Sequence, residues 1–89
     1  MKIYSVYDSK AEAYIQPIFS TNKATAIRSF AQAANDENTE FNRHAADYTL
    51  FEIGTWDEIT GLITPDETKT PLGSALEHRQ EKPTLREVG

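Results

Sequence analysis

Asp47–Gly61 reads DYTLFEIGTWDEITG, a run of aromatic and β-branched residues that ends in turn chemistry. From Tyr48 to Trp56 the side chains alternate, with Thr49, Phe51 and Ile53 set against Tyr48, Leu50, Glu52 and Trp56, as a half-buried strand requires. Asp57 to Gly61 supplies a turn longer than the two-residue type, and Gly61 to Thr64 opens a return strand. A hairpin at this point commits the chain to an antiparallel sheet.

A second hairpin lies upstream. Lys2–Tyr7 alternates, with Ile3, Ser5 and Tyr7 on one side and Tyr4 and Val6 on the other. Asp8-Ser9-Lys10-Ala11 turns the chain through side chains that bond nearby backbone, and Glu12–Phe19 returns it. Pro17 cannot donate a ladder hydrogen bond, so it marks an edge or a bulge. Between the hairpins, Ser20, Thr21 and Asn22 offer an N-cap to a helix running to Asn35, with Ala24, Ile27, Phe30, Ala31 and Ala34 as its apolar stripe. Asp36 to Ala46 is a polar loop anchored by Phe41, with a short helical turn near Ala45-Ala46. The expectation is an α+β fold, a small antiparallel four-stranded ββαββ sheet with one helix packed on one face. Residues 1–64 would form that single domain, and residues 65–89 a partly ordered or flexible extension rich in proline and mixed charge. Within that extension, Gly73 to Gln80 could form a short helix with Leu72 and Leu76 on one side.

Composition narrows the chemistry. A chain of 89 residues is one domain at most, and with no cysteine it has neither a disulfide nor a thiolate site. No run approaches the ~18 apolar residues of a membrane span, so no membrane partner is expected. Nine basic against 14 acidic side chains leave a net charge of -5, which repels a polyanion at long range. Nucleic-acid contact must then be local or assisted by a partner.

Catalytic patterns are weak. His44 stands among Asp36, Glu37, Glu40 and Asp47, but one histidine among carboxylates is a poor zinc set, and a solvated acidic loop is the better reading. No serine sits in a Gly-x-Ser-x-Gly turn, and the four glycines form no phosphate loop. No enzyme activity, metal or cofactor is expected. The candidate contacts for single-stranded DNA are Lys2, Tyr4, Tyr7, Lys10, Tyr14, Lys23, Arg28 and Arg43, because bases stack on aromatic rings while cations hold phosphates. Cross-strand tyrosine pairs that merely stabilise a small sheet are the commoner use of such residues, and Lys23 and Arg28 suit a solvated helix flank. One helix covers one face of a sheet. The other face, expected to hold Tyr4, Tyr14, Leu50 and Trp56, calls for self-association, so a homo-oligomer is expected.

Three stretches carry a resemblance: KIYSVYDSKAEAYIQPIF, TNKATAIRSFAQAAND and ADYTLFEIGTWDEITG. The matching positions include Tyr7-Asp8, Lys10-Ala11, Pro17, Phe19, Ala26, Arg28, Phe30, Asn35-Asp36, Asp47 through Gly54, Trp56-Asp57 and Thr60-Gly61. Together they resemble the small nonstructural protein of gokushovirus-type microviruses, tailless phages with circular single-stranded DNA genomes. The chain departs from that pattern at Ala45-Ala46, where the family has a proline-acid pair, and after Glu77. The resemblance implies a nonstructural DNA-binding protein of the host cytoplasm, a counterpart of the microvirus C protein. Its partners would be the viral replication complex or procapsid and single-stranded DNA. The alternative is an interaction module that modulates a host or viral protein without touching DNA.

Overall fold

β1 (Lys2–Asp8) is the strand around which the sheet is built, and Ile3, Tyr4, Ser5 and Val6 are buried in succession. Burial on both faces follows from its position between two neighbours. β4 (Tyr48–Trp56) pairs along one side, while β2 (Ala13–Tyr14) and β3 (Ile18–Ser20) share the other. β5 (Ile63–Ser74) joins β4 at the outer edge, and every pairing is antiparallel. The computed structural model describes residues 1–79.

The sheet thus has five strands where four were expected, because the second strand breaks in two. Tyr7 faces Tyr14 and Tyr4 faces Ile18, with Ile15 to Pro17 left between the two ladders. Ile15 remains tied to β1 within the gap: its amide donates to the Val6 carbonyl (2.9 Å), and its carbonyl accepts from the buried Ser5 hydroxyl (2.6 Å). Pro17, with no N–H to give, stands at the interruption.

α1 (Lys23–Asn35) begins at Asn22, whose side chain accepts from the Thr25 amide (2.9 Å). Ala26, Phe30 and Ala34 are buried and Ile27 is half-buried, whereas Ala24 is exposed. The buried stripe is therefore rotated slightly from the expected one: Phe30 and Ala34 are common to both, and Ala26 takes the place of Ala24. Past the helix, Thr39 caps α2 (Glu40–Arg43), and a 3-10 turn spans Ala45–Asp47. This loop finishes the helix. The Thr39 hydroxyl donates to the Ala33 carbonyl (2.6 Å) and the Asn42 amide to the Ala34 carbonyl (2.8 Å), pairing acceptors that a helix end leaves open. Phe41 anchors it, edge-on to Phe30 (5.9 Å) and Tyr48 (4.8 Å).

The expected boundary at residue 64 falls inside β5, and the fold continues to residue 79. Ser74 and Glu77 form a reciprocal capping box that starts α3 (Ala75–His78), and Ala75 is fully buried against the core. The expected helix at Gly73 to Gln80 is realised as this shorter turn. The core is thus one face of the sheet (Tyr4, Val6 and Leu50) closed by Ala26, Phe30, Ala34, Ala45 and Ala75. Tyr4 and Leu50, expected on the uncovered face, lie on the covered one. Of the expected extension, residues 65–89, the last ten residues lie outside the described ones.

Candidate functional site

The face of the sheet opposite α1 is built by alternation. Along β1, Tyr4 and Val6 enter the core, so Ile3, Ser5 and Tyr7 project the other way. Their partners follow them: Tyr14 stands opposite Tyr7, Phe51 opposite Ser5 and Phe19 opposite Ile3. The register on β4 slips by one residue, because Ile3 pairs Gly54 while Tyr4 pairs Glu52, leaving Ile53 as a bulge. A one-residue slip moves every later side chain to the other face. Trp56, grouped by simple alternation with Leu50, is thereby delivered to Phe19, its ring edge-on at 5.5 Å.

Two aromatic clusters result. In one, Tyr7 and Tyr14 have ring centroids 4.8 Å apart, and Phe51 meets Tyr14 edge-on at 5.9 Å. In the other, Phe19 packs on Trp56. Among the described residues no helix covers them: Tyr14 is 42% exposed and Phe19 45%. The Lys69 ammonium lies 5.7 Å from the Tyr14 ring centre, attracted by the ring's negative face. Sequence reasoning missed Lys69. Reading β5 past Pro65 would have found it, because Pro71 pairs with Phe51 and Lys69 lies two residues earlier, on the same side of the strand.

The eight expected contacts are divided among different parts of the fold. Tyr7 and Tyr14 are on the open face, and Lys10 is exposed in the turn that ends their strand pair. Lys2 is paired with Glu52 at 3.2 Å, and the hydrogen bond and charge of Glu52 raise its pKa. Lys23 and Arg28 are exposed on α1, in the layer behind the sheet. Arg43 on α2 is held by Glu40 (3.0 Å) and donates to the Glu37 carbonyl (3.3 Å).

Tyr4 cannot serve as a stacking platform. Its side chain is 0% exposed, its hydroxyl has no partner among the described residues, and burial raises its pKa. A buried hydroxyl without a partner costs about 1–3 kcal/mol. Tyr4→Phe should therefore leave stability unchanged or raise it by about 1 kcal/mol. Urea unfolding would check this, and a loss above about 1 kcal/mol would mean that the hydroxyl is satisfied.

The remaining displaced titrations have structural causes. Burial raises Tyr48, and the amides of Ile59 and Thr60 bonding to Asp57 hold that carboxyl below its ordinary range. Among the described residues no group of three or more histidine and acidic side chains could hold a metal ion. The surface can stack on flat groups and hold a negative charge beside them.

Comparison with curated proteins and with solved structures returns no match. A family model does match, described as Phage ORF5 protein, and it takes in residues 1–78, every strand and helix described above. The chain belongs to the Phage ORF5 protein family.

Proposed function

We propose that this phage protein is a nonstructural accessory of single-stranded DNA genome replication and packaging, as in the gokushovirus-type microviruses that its sequence resembles. It works in the host cytoplasm as a binding protein, not a catalyst, and the open sheet face is its working surface. Protein contact with the replication complex or procapsid dominates, with weak, local contact to a single strand. One observation supports this reading above the others: Lys69 over Tyr14, which packs on Tyr7 and Phe51, on a face that no helix among the described residues covers. Exposed rings accept unstacked bases and an adjacent lysine holds a phosphate. The net charge of -5 keeps that contact weak.

The test is fluorescence anisotropy of a labelled oligodeoxythymidine about 15 nucleotides long. With Lys69 and Lys10 as the phosphate contacts, affinity should fall roughly sevenfold between about 50 and 200 mM salt, at a slope of about 0.7 per phosphate. Tyr14→Ala should abolish binding and Tyr4→Phe should not change it. No binding at the lower salt would exclude DNA contact and leave the face to a protein partner. A steeper salt slope unaffected by Tyr14→Ala would place the contact on the helical layer instead.

A further inference from the structure

The turn between β4 and β5 ends in an apolar tip that no other described residue covers. Ile59 is 95% exposed, Leu62 66% and Ile63 62%. The tip is also tied together by hydrogen bonds within the turn. The Asp57 carboxylate accepts from the Ile59 amide (2.8 Å) and the Thr60 amide (3.3 Å), the Asp57 carbonyl accepts from the Gly61 amide (2.7 Å), and the Asp57 amide donates to the Leu62 carbonyl (2.9 Å). Gly61 supplies the left-handed conformation, φ +79°, that closes the turn. An ordered loop loses little conformational entropy on binding, so a preformed apolar tip is suited to insertion. Asp57 and Glu58 give it an acidic flank.

The other end of β4 carries a shallow depression. Its volume is about 330 Å³, with Ala45, Ala46 and Leu76 as apolar lining, Arg43 and Arg79 as cations, His44 beside them and Asp47 as its acid. Arg43 is already paired with Glu40, and Arg79 spends one donor on the Asn42 carbonyl (2.8 Å), but a guanidinium has five N–H donors and both retain capacity. Tip and depression are separated by the nine residues of β4, roughly 30 Å at the rise of a strand. A molecule's own tip cannot reach its own depression across that length.

We infer that the acidic, apolar tip of one copy (Ile59 and Leu62 beside Glu58) docks in the basic depression of a second copy (Leu76 and Ala46 beside Arg43 and Arg79). Complementary charge and complementary apolar surface at opposite ends make this contact head-to-tail, so it extends into open chains or closes into rings. Edge-to-edge pairing does not compete. β5 carries Pro65 and Pro71 with Asp66, Glu67 and Lys69 between them, and the opposite edge is broken at Pro17. A single inserted tip buries less than the ~800 Å² per partner of a stable interface, so association is weak and reversible. The contact uses neither aromatic cluster of the open face, and its test is separate from that of DNA binding.

Sedimentation velocity of the full chain across a concentration series tests it. The mean mass should rise above the 10.0 kDa monomer as concentration increases, and fall back with added salt. Ile59→Ser and Leu76→Glu should each stay monomeric; both positions are exposed, and matching thermal melts show that each variant folds. Mixed in equal amounts, the two variants should recover a 1:1 dimer and nothing larger, because the intact tip of the Leu76→Glu copy meets the intact depression of the Ile59→Ser copy. A wild-type chain that stays monomeric at about 1 mM overturns the proposal. So does assembly by either variant alone, or a mixture that recovers no dimer, which would indicate a two-fold contact using both sites together.

Discussion

Phe30→Ala is expected to cost about 3–5 kcal/mol, the range for removing a buried aromatic ring from a packed core. Phe30 is buried in the middle of α1 and touches three separate parts of the fold. It packs edge-on against Phe41, which pins the loop before β4, and edge-on against His78 (5.8 Å), which ends α3. It also belongs to the core cluster with Tyr4, Val6 and Leu50. The cavity would lie where helix, loop and final turn meet, so collapse of one neighbour cannot fill it. A domain this small is stabilised by only about 5–10 kcal/mol, so a large part of the total disappears. The midpoint of thermal unfolding should fall by about 20 °C. Leucine substitutions at two alanines check the orientation of the helix. Ala26→Leu should destabilise by about 1–3 kcal/mol through overpacking, while Ala24→Leu should change stability by less than about 0.5 kcal/mol. The opposite order would mean that α1 is rotated toward the stripe its sequence spacing suggests.

That pair of alanines shows where the sequence is ambiguous. Alanine at 24, 26, 31, 33 and 34 gives the helix two overlapping stripes of the same small residue, and both contain Phe30. Periodicity cannot choose between stripes made of the same side chain; packing against Tyr4 and Leu50 does. By contrast, the extent of β4 was legible, from Tyr48 to Trp56, because aromatic and β-branched residues fill it and turn residues end it. The helix start at Ser20 to Asn22 and the anchor at Phe41 were legible for the same kind of reason, a single residue type with one physical role, whereas Pro17 marked an irregularity without showing that the strand divides in two there. β5 was not legible. Its DETKT segment is exposed, so it carries no hydrophobic period, and its place is set by backbone bonds to β4 and by the docking of Ala75 after it. An edge strand of this kind reads as a flexible extension.

The candidate surface was half legible for a related reason. Alternation separated Tyr7 from Tyr4 correctly, but alternation alone does not say which side the helix takes. Tyr4 went inside, and with it a hydroxyl that has no partner among the described residues. The bulge at Ile53 was invisible because nothing in GTW differs from an unbroken strand, yet it decides that Trp56 joins Phe19 and not Leu50. The open face therefore owes its second aromatic cluster to one unpaired residue on β4, and the missed Lys69 to the unread strand beside it.

Gly73→Ala is expected to detach α3 from the body of the protein. Gly73 has φ +110°, beyond even the left-handed helical region, and a side chain there costs on the order of 1–3 kcal/mol in backbone strain. Steric overlap adds to this. A Cβ would stand 2.6 Å from His78 Nε2 and 3.2 Å from Glu77 Oε1. Both atoms belong to side chains, so they can yield, but each is already engaged. His78 Nε2 donates to the Leu72 carbonyl (2.8 Å) and its ring rests on Phe30, while Glu77 Oε1 accepts from the Ser74 amide (2.8 Å) to complete the capping box. Losing the hydrogen bond and the cap costs about 1 kcal/mol apiece, which brings the local total to roughly 3–5 kcal/mol. A four-residue helix cannot retain its place against that, whereas β1 and β4 stay paired. Hydrogen exchange should therefore show the Glu77 and Arg79 amides losing protection by about a hundredfold or more, with the β1 and β4 amides much less affected. Equal loss across all of them would mean that α3 cannot open separately. His78→Ala divides the two causes: in that background Gly73→Ala meets no imidazole, so its added cost should shrink toward the backbone strain alone. Additive costs would assign the whole effect to φ, and a coupling above about 1 kcal/mol would assign the difference to the glycine's contact with the imidazole.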